Sequence, residues 1–443
     1  MTIGIVVSRA DRASLHIGEQ LLAQGEWTEH EDDQPDAVGG GTFHRDGPFE
    51  LREFDELHIH LDDPAPAFSD DLHLLVFVSR HSGETGALLT GHFTGNFGAA
   101  AYGGEDRTLA ETAPSALSAY IGALSAHAPE GYDVAIEGTH HGPTALDTPA
   151  MFAELGSGDE QWDDPDGARA VAQAVLSLRG VDAHRERQVV GIGGGHYAPR
   201  FGRIVRETPW AVGHIASDWQ LDELGHPRTD EARAVLESAF ERSNATHALL
   251  DGDHPEVADV IEDRGYRVVS ETWVRTVGDR PLDLVRSLES NVAAVDEGLR
   301  FGVHVPEAED WVQVRLPDDL LTAAQNVDGV ATRAAVENRT VAFDTIESGT
   351  RAQGDAAVPD RAAYHDLIDD LAAILRESYD EVHVDAETVI AREEAFDPEK
   401  ARKLGIPDGP KMGKLSGGES VEVDGEVIPP NAVTSESEEV FRI

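Results

Sequence analysis

The chain has 443 residues, 40% of them apolar, and carries 35 basic against 84 acidic side chains, a formal net charge of −49. That length allows two or three domains with a sizeable core, and periodic apolar runs exclude disorder for most of it. The absence of cysteine excludes disulfides and thiolate zinc sites, so a transition metal would have to be held by His, Asp or Glu.

In chain order, Ile3–Ser8 reads as a strand and 25–48 (GEWTEHEDDQPDAVGGGTFHRDGP), acidic and aperiodic, as a loop. Strands follow at Leu51–Leu61 and Leu72–Ser79. A helix is expected over Ala113–His127, with Thr112 as N-cap and Pro114 early, before a strand at Val134–Glu137. A helix over Pro165–Leu178, behind Asp163 and Asp164, leads to strands at Gln188–Ile192 and Ala211–Ile215. A helix over Asp230–Ser243, capped by Thr229, precedes the strand Ala248–Asp251. A shorter helix, Pro255–Arg264 with Asp253 as candidate cap, stops at Gly265 and leads into a β-rich run, Tyr266–Val277. Strands separated by helices imply an α/β fold with a mixed, mostly parallel central sheet and helices on both faces. Sites in such folds form at the carboxyl ends of strands, where GIGGGHY, EGTHHG and DGDH all fall.

After about 278 the pattern changes. Residues 350–360 read as a linker, 361–377 as an amphipathic helix and 403–431 as a small turn-rich β unit. Two domains are expected: 1–277, and a smaller α+β extension over 278–443.

Charge is distributed unevenly. Only four of the 35 basic residues are lysines (Lys400, Lys403, Lys411, Lys414). An acidic surface almost free of lysine suits molar salt, where screening over about 3 Å relieves self-repulsion; a halophile's cytoplasm is the expected setting. No apolar stretch reaches the roughly 18 residues of a membrane span, and the opening MTIGIVVSRADR is expected to be a strand entering a turn, not a signal peptide.

GIGGGHYAPRF (191–201) places three consecutive glycines and His196 directly behind a strand. The dinucleotide pattern needs a sixth-position glycine, which here is His196, and no Lys-Ser/Thr pair supports a phosphate loop. What remains is either a sharp glycine-permitted turn or a bare backbone that admits a ligand beside a histidine base or metal ligand. EGTHHGPTALDTP (137–149) sets Glu137 three and four residues before His140 and His141; these residue types suit zinc, although the glycines forbid a helical metal motif. Glu137 could instead orient an imidazole. Two further loops hold His81, His92 and Asn96, others His214 with Asp218 and Asp251 with Asp253 and His254; each alone reads as an ordinary polar loop. Between Arg179 and Arg206 six arginines face two acids, a basic island of internal pairs or a binding site for an anion, with Tyr197, Phe201 and Trp210 as stacking candidates.

Taken together, GIGGGHYAPRFG, EGTHHGPTALDTPAMFAELGSGDEQW, the GHI of 213–215 and the opening IGIVVSRAD resemble the archaeal and plant D-aminoacyl-tRNA deacylases over roughly residues 1–277. The resemblance implies a fold similar to peptidyl-tRNA hydrolases and phosphorylases. It also implies hydrolysis of the ester joining a D-amino acid to the terminal tRNA ribose, a zinc requirement and a monomer. On that reading His196 with His140 or His141 act as base or zinc ligands, and Glu137 orients them or completes the set. Gly193, Gly194 and Gly195 form a wall that discriminates chirality beside Tyr197, and Arg200 and Arg203 meet the tRNA end. The segment 397–430 resembles part of tRNA 3′-processing endonucleases, but their H-x-H-x-D-H signature is absent and no nuclease activity is inferred. Two other readings stand beside this one. One is a related hydrolase or phosphorylase acting on another nucleotide-bearing substrate; the other is a tRNA-end binding protein without activity.

Overall fold

Thr2–Ser8 (β1) is apolar almost throughout because both its faces are covered, the mark of a central parallel strand. The structure, a computed structural model, describes residues 1–423 and 425–443. Contacts divide it into two units, Met1–Gly278 and Asp279–Ile443.

The first unit continues with α1 (Arg12–Gln24), β2 (Thr28–Glu31), β3 (Thr42–Asp46), β4 (Phe49–Phe54), β5 (Leu72–Arg80), β6 (Leu88–His92), α2 (Pro114–His127), β7 (Asp133–Ile136) and β8 (Ala150–Gly156). Then come α3 (Asp159–Trp162), α4 (Pro165–Leu176), β9 (Gln188–Gly193), α5 (Pro199–Glu207), β10 (Ala211–Ala216), α6 (Asp218–Leu224) and α7 (Asp230–Arg242). It closes with β11 (His247–Asp251), α8 (Pro255–Asp263), β12 (Arg267–Val269) and α9 (Glu271–Val277). The mixed, mostly parallel sheet has eight strands in the order β2-β3-β4-β1-β5-β8-β6-β7. Beside it stands a second sheet, β10-β9-β11-β12, parallel throughout. Helix α2 touches both β6 and β10, and α1 and α4 pack on each other. On the opposite face of the large sheet Val6, Phe77 and Phe152 meet Ala67, Phe68, Ala110 and Leu146, so irregular segments cover that side.

Several boundaries differ from the sequence expectation for local reasons. The loop expected over 25–48 contains the antiparallel pair β2–β3; β2 is exposed at every position, so no apolar alternation announced it. The strand expected over 51–61 ends at Phe54, and a short turn of helix follows at His58–His60. The run 266–277 splits at Ser270, whose hydroxyl accepts from Trp273 N at 2.9 Å and starts α9. Thr112 does not cap α2: Ala113 holds that position, and the Thr112 hydroxyl donates to Arg242 O at 2.9 Å. Asp253 does not cap α8, whose cap residue is His254. Asp164 and Thr229 cap α4 and α7 through their side chains.

The second unit has an antiparallel sheet in which Arg351–Val358, expected as a linker, lies between Ala342–Ile346 and Val312–Arg315. Helices Asp318–Val327, Gly329–Arg339 and Arg361–Leu375 enclose its core of Leu320, Phe343 and Leu371. A second sheet joins Glu381–Val384, Thr388–Phe396 and Thr434–Arg442. The turn-rich segment holds two short helices and a hairpin around Ala401, Ile406, Leu415 and Val421.

Candidate active site

Glu137, the first residue after β7, is a carboxylate buried to 1% exposure. Its Oε2 lies 2.8 Å from His196 Nε2 and 3.8 Å from His140 Nε2, and its Oε1 lies 3.7 Å from His81 Nε2. Burial opposes the Glu137 charge. The hydrogen bond from the His196 imidazole, and then the neighbouring histidine rings, outweigh it and hold the carboxyl well below the usual range.

The loop carrying His140 and His141 is held by its backbone. Gly138 N donates to His196 O at 2.7 Å and Thr139 N to Ile215 O at 2.9 Å, joining the loop after β7 to those of the second sheet. His141 sits at φ 49°, in the left-handed region that non-glycine residues enter rarely. His140 Nδ1 lies 2.9 Å from Gly138 O, His141 Nδ1 2.7 Å from Gly142 O, and His92 Nδ1 3.0 Å from Phe93 O. A carbonyl can only accept, so each Nδ1 carries a proton, and the neutral rings of His140 and His141 present their Nε2 lone pairs. Burial, then the neighbouring imidazoles, depresses His140 and His141 well below the usual histidine range. His92 moves the other way: burial opposes its charge, but Glu154 and then Glu137 favour it.

Glu154 is a further buried carboxylate of the site. Strand register sets Ser79, Glu154 and Thr90 side by side across β5, β8 and β6. Glu154 accepts from the Ser79 hydroxyl at 2.7 Å and lies 3.6 Å from His92 Nε2. Phe77, Phe152 and His92 lie on the same face, with ring centroids 4.8 and 5.1 Å apart. Ser79, Glu137, His140, Phe152, Glu154 and His196 line a cavity of about 620 Å³ that also reaches His58, Arg80 and Tyr197. Two donor sets here have ligand atoms no more than 4.8 Å apart: His92, His140 and His141, and Glu137, His140 and His196. His92 Nε2, both Glu137 oxygens and His196 Nδ1 are buried without an aligned hydrogen-bond partner. Buried unpaired polar atoms cost free energy, and a cation would relieve these.

The structure therefore brings Glu137, His140, His141, His196 and Tyr197 onto one cavity. The remaining sequence candidates lie elsewhere. Gly193 and Gly194, at φ 85° and 80°, press against the loop after β11: a Cβ on Gly193 would meet Asp251 O at 2.3 Å, and one on Gly194 would meet Asp251 Oδ2 at 2.5 Å. Gly194 N donates to Asp218 Oδ1 at 3.0 Å, so that amide is not free for a substrate oxyanion. Around Gly195 the space is open. Arg200 and Arg203 face Glu271 at 3.1 and 3.6 Å, and Arg200 also meets Asp251 at 3.5 Å. Arg80, over the Trp162 ring at 5.5 Å, is the arginine on the cavity lining. Phe201 and Trp210 are fully buried, and the Tyr197 hydroxyl is 3.2 Å from His81 Nε2. His254 lies 3.2 Å from Asp218 in a separate acidic cavity.

Sequence reasoning noted His81 and His92 without joining them to the site, and passed over Glu154. The signal for Glu154 was available: a glutamate in the otherwise apolar run Ala150–Gly156, which forms β8.

Residues 68–269 match the family model described as D-aminoacyl-tRNA deacylase. The chain is 56% identical to the D-aminoacyl-tRNA deacylase of Halorubrum lacusprofundi over 100% of its own length and 97% of that protein. The chain belongs to the D-aminoacyl-tRNA deacylase family. A second family member, the D-aminoacyl-tRNA deacylase of Natronomonas pharaonis, is 52% identical over 97% of this chain and 98% of its own. Among solved structures, a crystal structure described as a conserved protein of unknown function aligns at TM-score 0.55 and 28% identity, covering 62% of this chain and 96% of that one. That likeness bears out the α/β fold expected of the family.

Proposed function

We propose that the protein hydrolyses the ester bond of D-aminoacyl-tRNA, releasing a free D-amino acid and a tRNA with an unesterified terminal ribose. The observation that carries this reading within the family is the fully buried Glu137 facing three imidazoles on one cavity. A carboxylate at 2.8 Å from His196 Nε2 fixes the orientation of that ring on the cavity. His196 then takes a proton from water as the water oxygen attacks the ester carbonyl carbon, and returns it to the ribose oxygen as that bond breaks. Depressed basicity at His140 and His141 keeps them neutral near pH 7, the state in which an imidazole can act as a ligand or acceptor.

Zinc fits the residues. His140 would hold it together with His92 and His141, or with Glu137 and His196. The Nδ1–carbonyl contacts of three rings are the outer support such ligands need, and two buried carboxylates balance a divalent charge. A bound zinc supplies Lewis acidity toward the ester carbonyl.

The setting belongs to the same proposal: a cytoplasm at molar salt, supported by the net charge of −49. No helix among the described residues is long and apolar enough to cross a membrane. Action as a monomer belongs to the same proposal. The function is tested by hydrolysis of D-tyrosyl-tRNA against L-tyrosyl-tRNA in molar KCl; release from the D-ester alone is expected, and equal release from both, or none, would overturn it.

A further inference from the structure

Among the described residues, Tyr102 and Trp219 are the two Phe, Tyr or Trp side chains left exposed, at 72% and 41%. Tyr102 is on the lining of the cavity, and Trp219 has its ring centroid 6.3 Å from that of His196, which is on the same lining. Folding gains little from an aromatic ring left in water, yet both rings rest on firmly held backbone.

Tyr102 O accepts from Gly142 N at 3.1 Å, which fastens it to the loop bearing His140 and His141. The next residue, Gly103 at φ 79°, has no room for a side chain, since a Cβ would lie 2.0 Å from Ile59 O. The Asn96 amide donates to Gly103 O at 3.0 Å and to Glu105 O at 3.1 Å, closing the bracket. Trp219 is the second residue of α6, whose start is closed by a Ser217–Gln220 capping box. Asp218 N donates to Gly194 O at 2.9 Å and Gly194 N donates to Asp218 Oδ1 at 3.0 Å, tying Trp219 to the loop bearing His196. Each exposed ring is therefore fastened to a loop that supplies histidines of the site, Tyr102 to that of His140 and His141 and Trp219 to that of His196.

Charge offers a substrate limited hold at the two rings. Arg200 and Arg203 are paired internally, and beside the rings the exposed acids Glu105, Asp106, Asp218 and Asp222 outnumber Arg107, while Arg80 stands on the cavity lining. Attraction to phosphates also falls steeply as salt rises, whereas stacking of a base on an aromatic face depends far less on ionic strength.

We propose that Tyr102 and Trp219 are the base-stacking residues that seat the unpaired 3′ end of the tRNA, fixing the terminal ester over the cavity. This rests on the deacylase reading above and adds how the nucleic acid is gripped.

The test uses the full chain in molar KCl. A fluorescent single-stranded oligoribonucleotide of the tRNA 3′-terminal sequence is titrated by anisotropy against the wild type, Tyr102→Ala, Trp219→Ala, Tyr102→Phe and Trp219→Phe, with thermal melts to check folding. Each alanine variant is expected to weaken binding roughly tenfold, and each phenylalanine variant to retain most of it. With D-tyrosyl-tRNA the alanine losses should fall on KM more than on kcat. Unchanged oligonucleotide binding in both alanine variants overturns the proposal, even if KM for D-tyrosyl-tRNA rises, because the rings would then touch the amino acid and not a base. A loss at one ring alone overturns it for the other. A wild type with ring-dependent oligonucleotide binding that spares D-tyrosyl-tRNA overturns the reaction and leaves the stacking role standing.

Discussion

Glu137 is where a single atom change is most informative. Glu137→Gln keeps the shape of the side chain and removes the charge facing His196, His140 and His81. Zinc affinity, followed as metal retained after dialysis, should fall roughly ten- to a hundredfold, and turnover should fall with it. His196→Ala should lower kcat roughly a hundred- to ten-thousandfold, and because it takes away the 2.8 Å partner of the buried Glu137 carboxylate, a lower melting temperature should accompany that loss. His214 gives a separate prediction about pH. Burial lowers its pKa to about 4; its Nε2–H donates to Ala110 O at 2.9 Å while the Thr139 hydroxyl lies 3.0 Å from Nδ1. The unfolded chain binds that proton from pH 6.5 downwards and the folded chain does not until about pH 4. The stabilisation from neutral His214 is thus complete above pH 6.5 and is lost on acidification, by up to about 3 kcal/mol. Denaturant titrations from pH 7 to 4.5 should therefore show a shallower loss in His214→Gln than in the wild type. At this scale the sequence pointed to Glu137, His140, His141 and His196, because a carboxylate and imidazoles crowd two short glycine-bearing loops. It did not join His92 or Glu154 to them. Their meeting depends on β6 running antiparallel to β8, a pairing that local pattern does not encode.

At the level of the element, the glycine loop after β9 works as a clamp. Gly193→Ala would force a Cβ against Asp251 O and His254 Nε2 at 2.3 Å, at a left-handed φ. It should cost about 1–3 kcal/mol in denaturant titrations and lower kcat by displacing His196. Gly195→Ala meets nothing within 4 Å and should change stability by less than about 0.5 kcal/mol. If Gly195 lines the path of the substrate, that variant should alter the ratio of D- to L-ester hydrolysis while folding normally. Most strands and helices of the first unit were legible because apolar runs, prolines at helix starts and caps such as Asp164 and Thr229 agree. The pair β2–β3 and the strand 351–358 were not. The first is solvent-facing at β2, and the second alternates short side chains with polar ones, a pattern that also suits a linker.

Over the whole molecule, the net charge of −49 predicts that the melting temperature climbs as KCl is raised into the molar range, since screening removes self-repulsion. The two units have separate cores, and the solved relative is matched over 96% of its length by 62% of this chain. A protein comprising residues 1–278 should therefore fold and keep the ester hydrolysis, because every group of the site lies within it. The central claim is that the cavity around Glu137 and His196 hydrolyses the ester of a D-amino acid on tRNA. Its most direct test is the release of tyrosine from D-tyrosyl-tRNA and from L-tyrosyl-tRNA by the full chain in molar KCl, with and without a zinc chelator. Release from the D-ester alone, suppressed by the chelator and restored by zinc, is the predicted result; equal release from both esters, or release from neither, would contradict it.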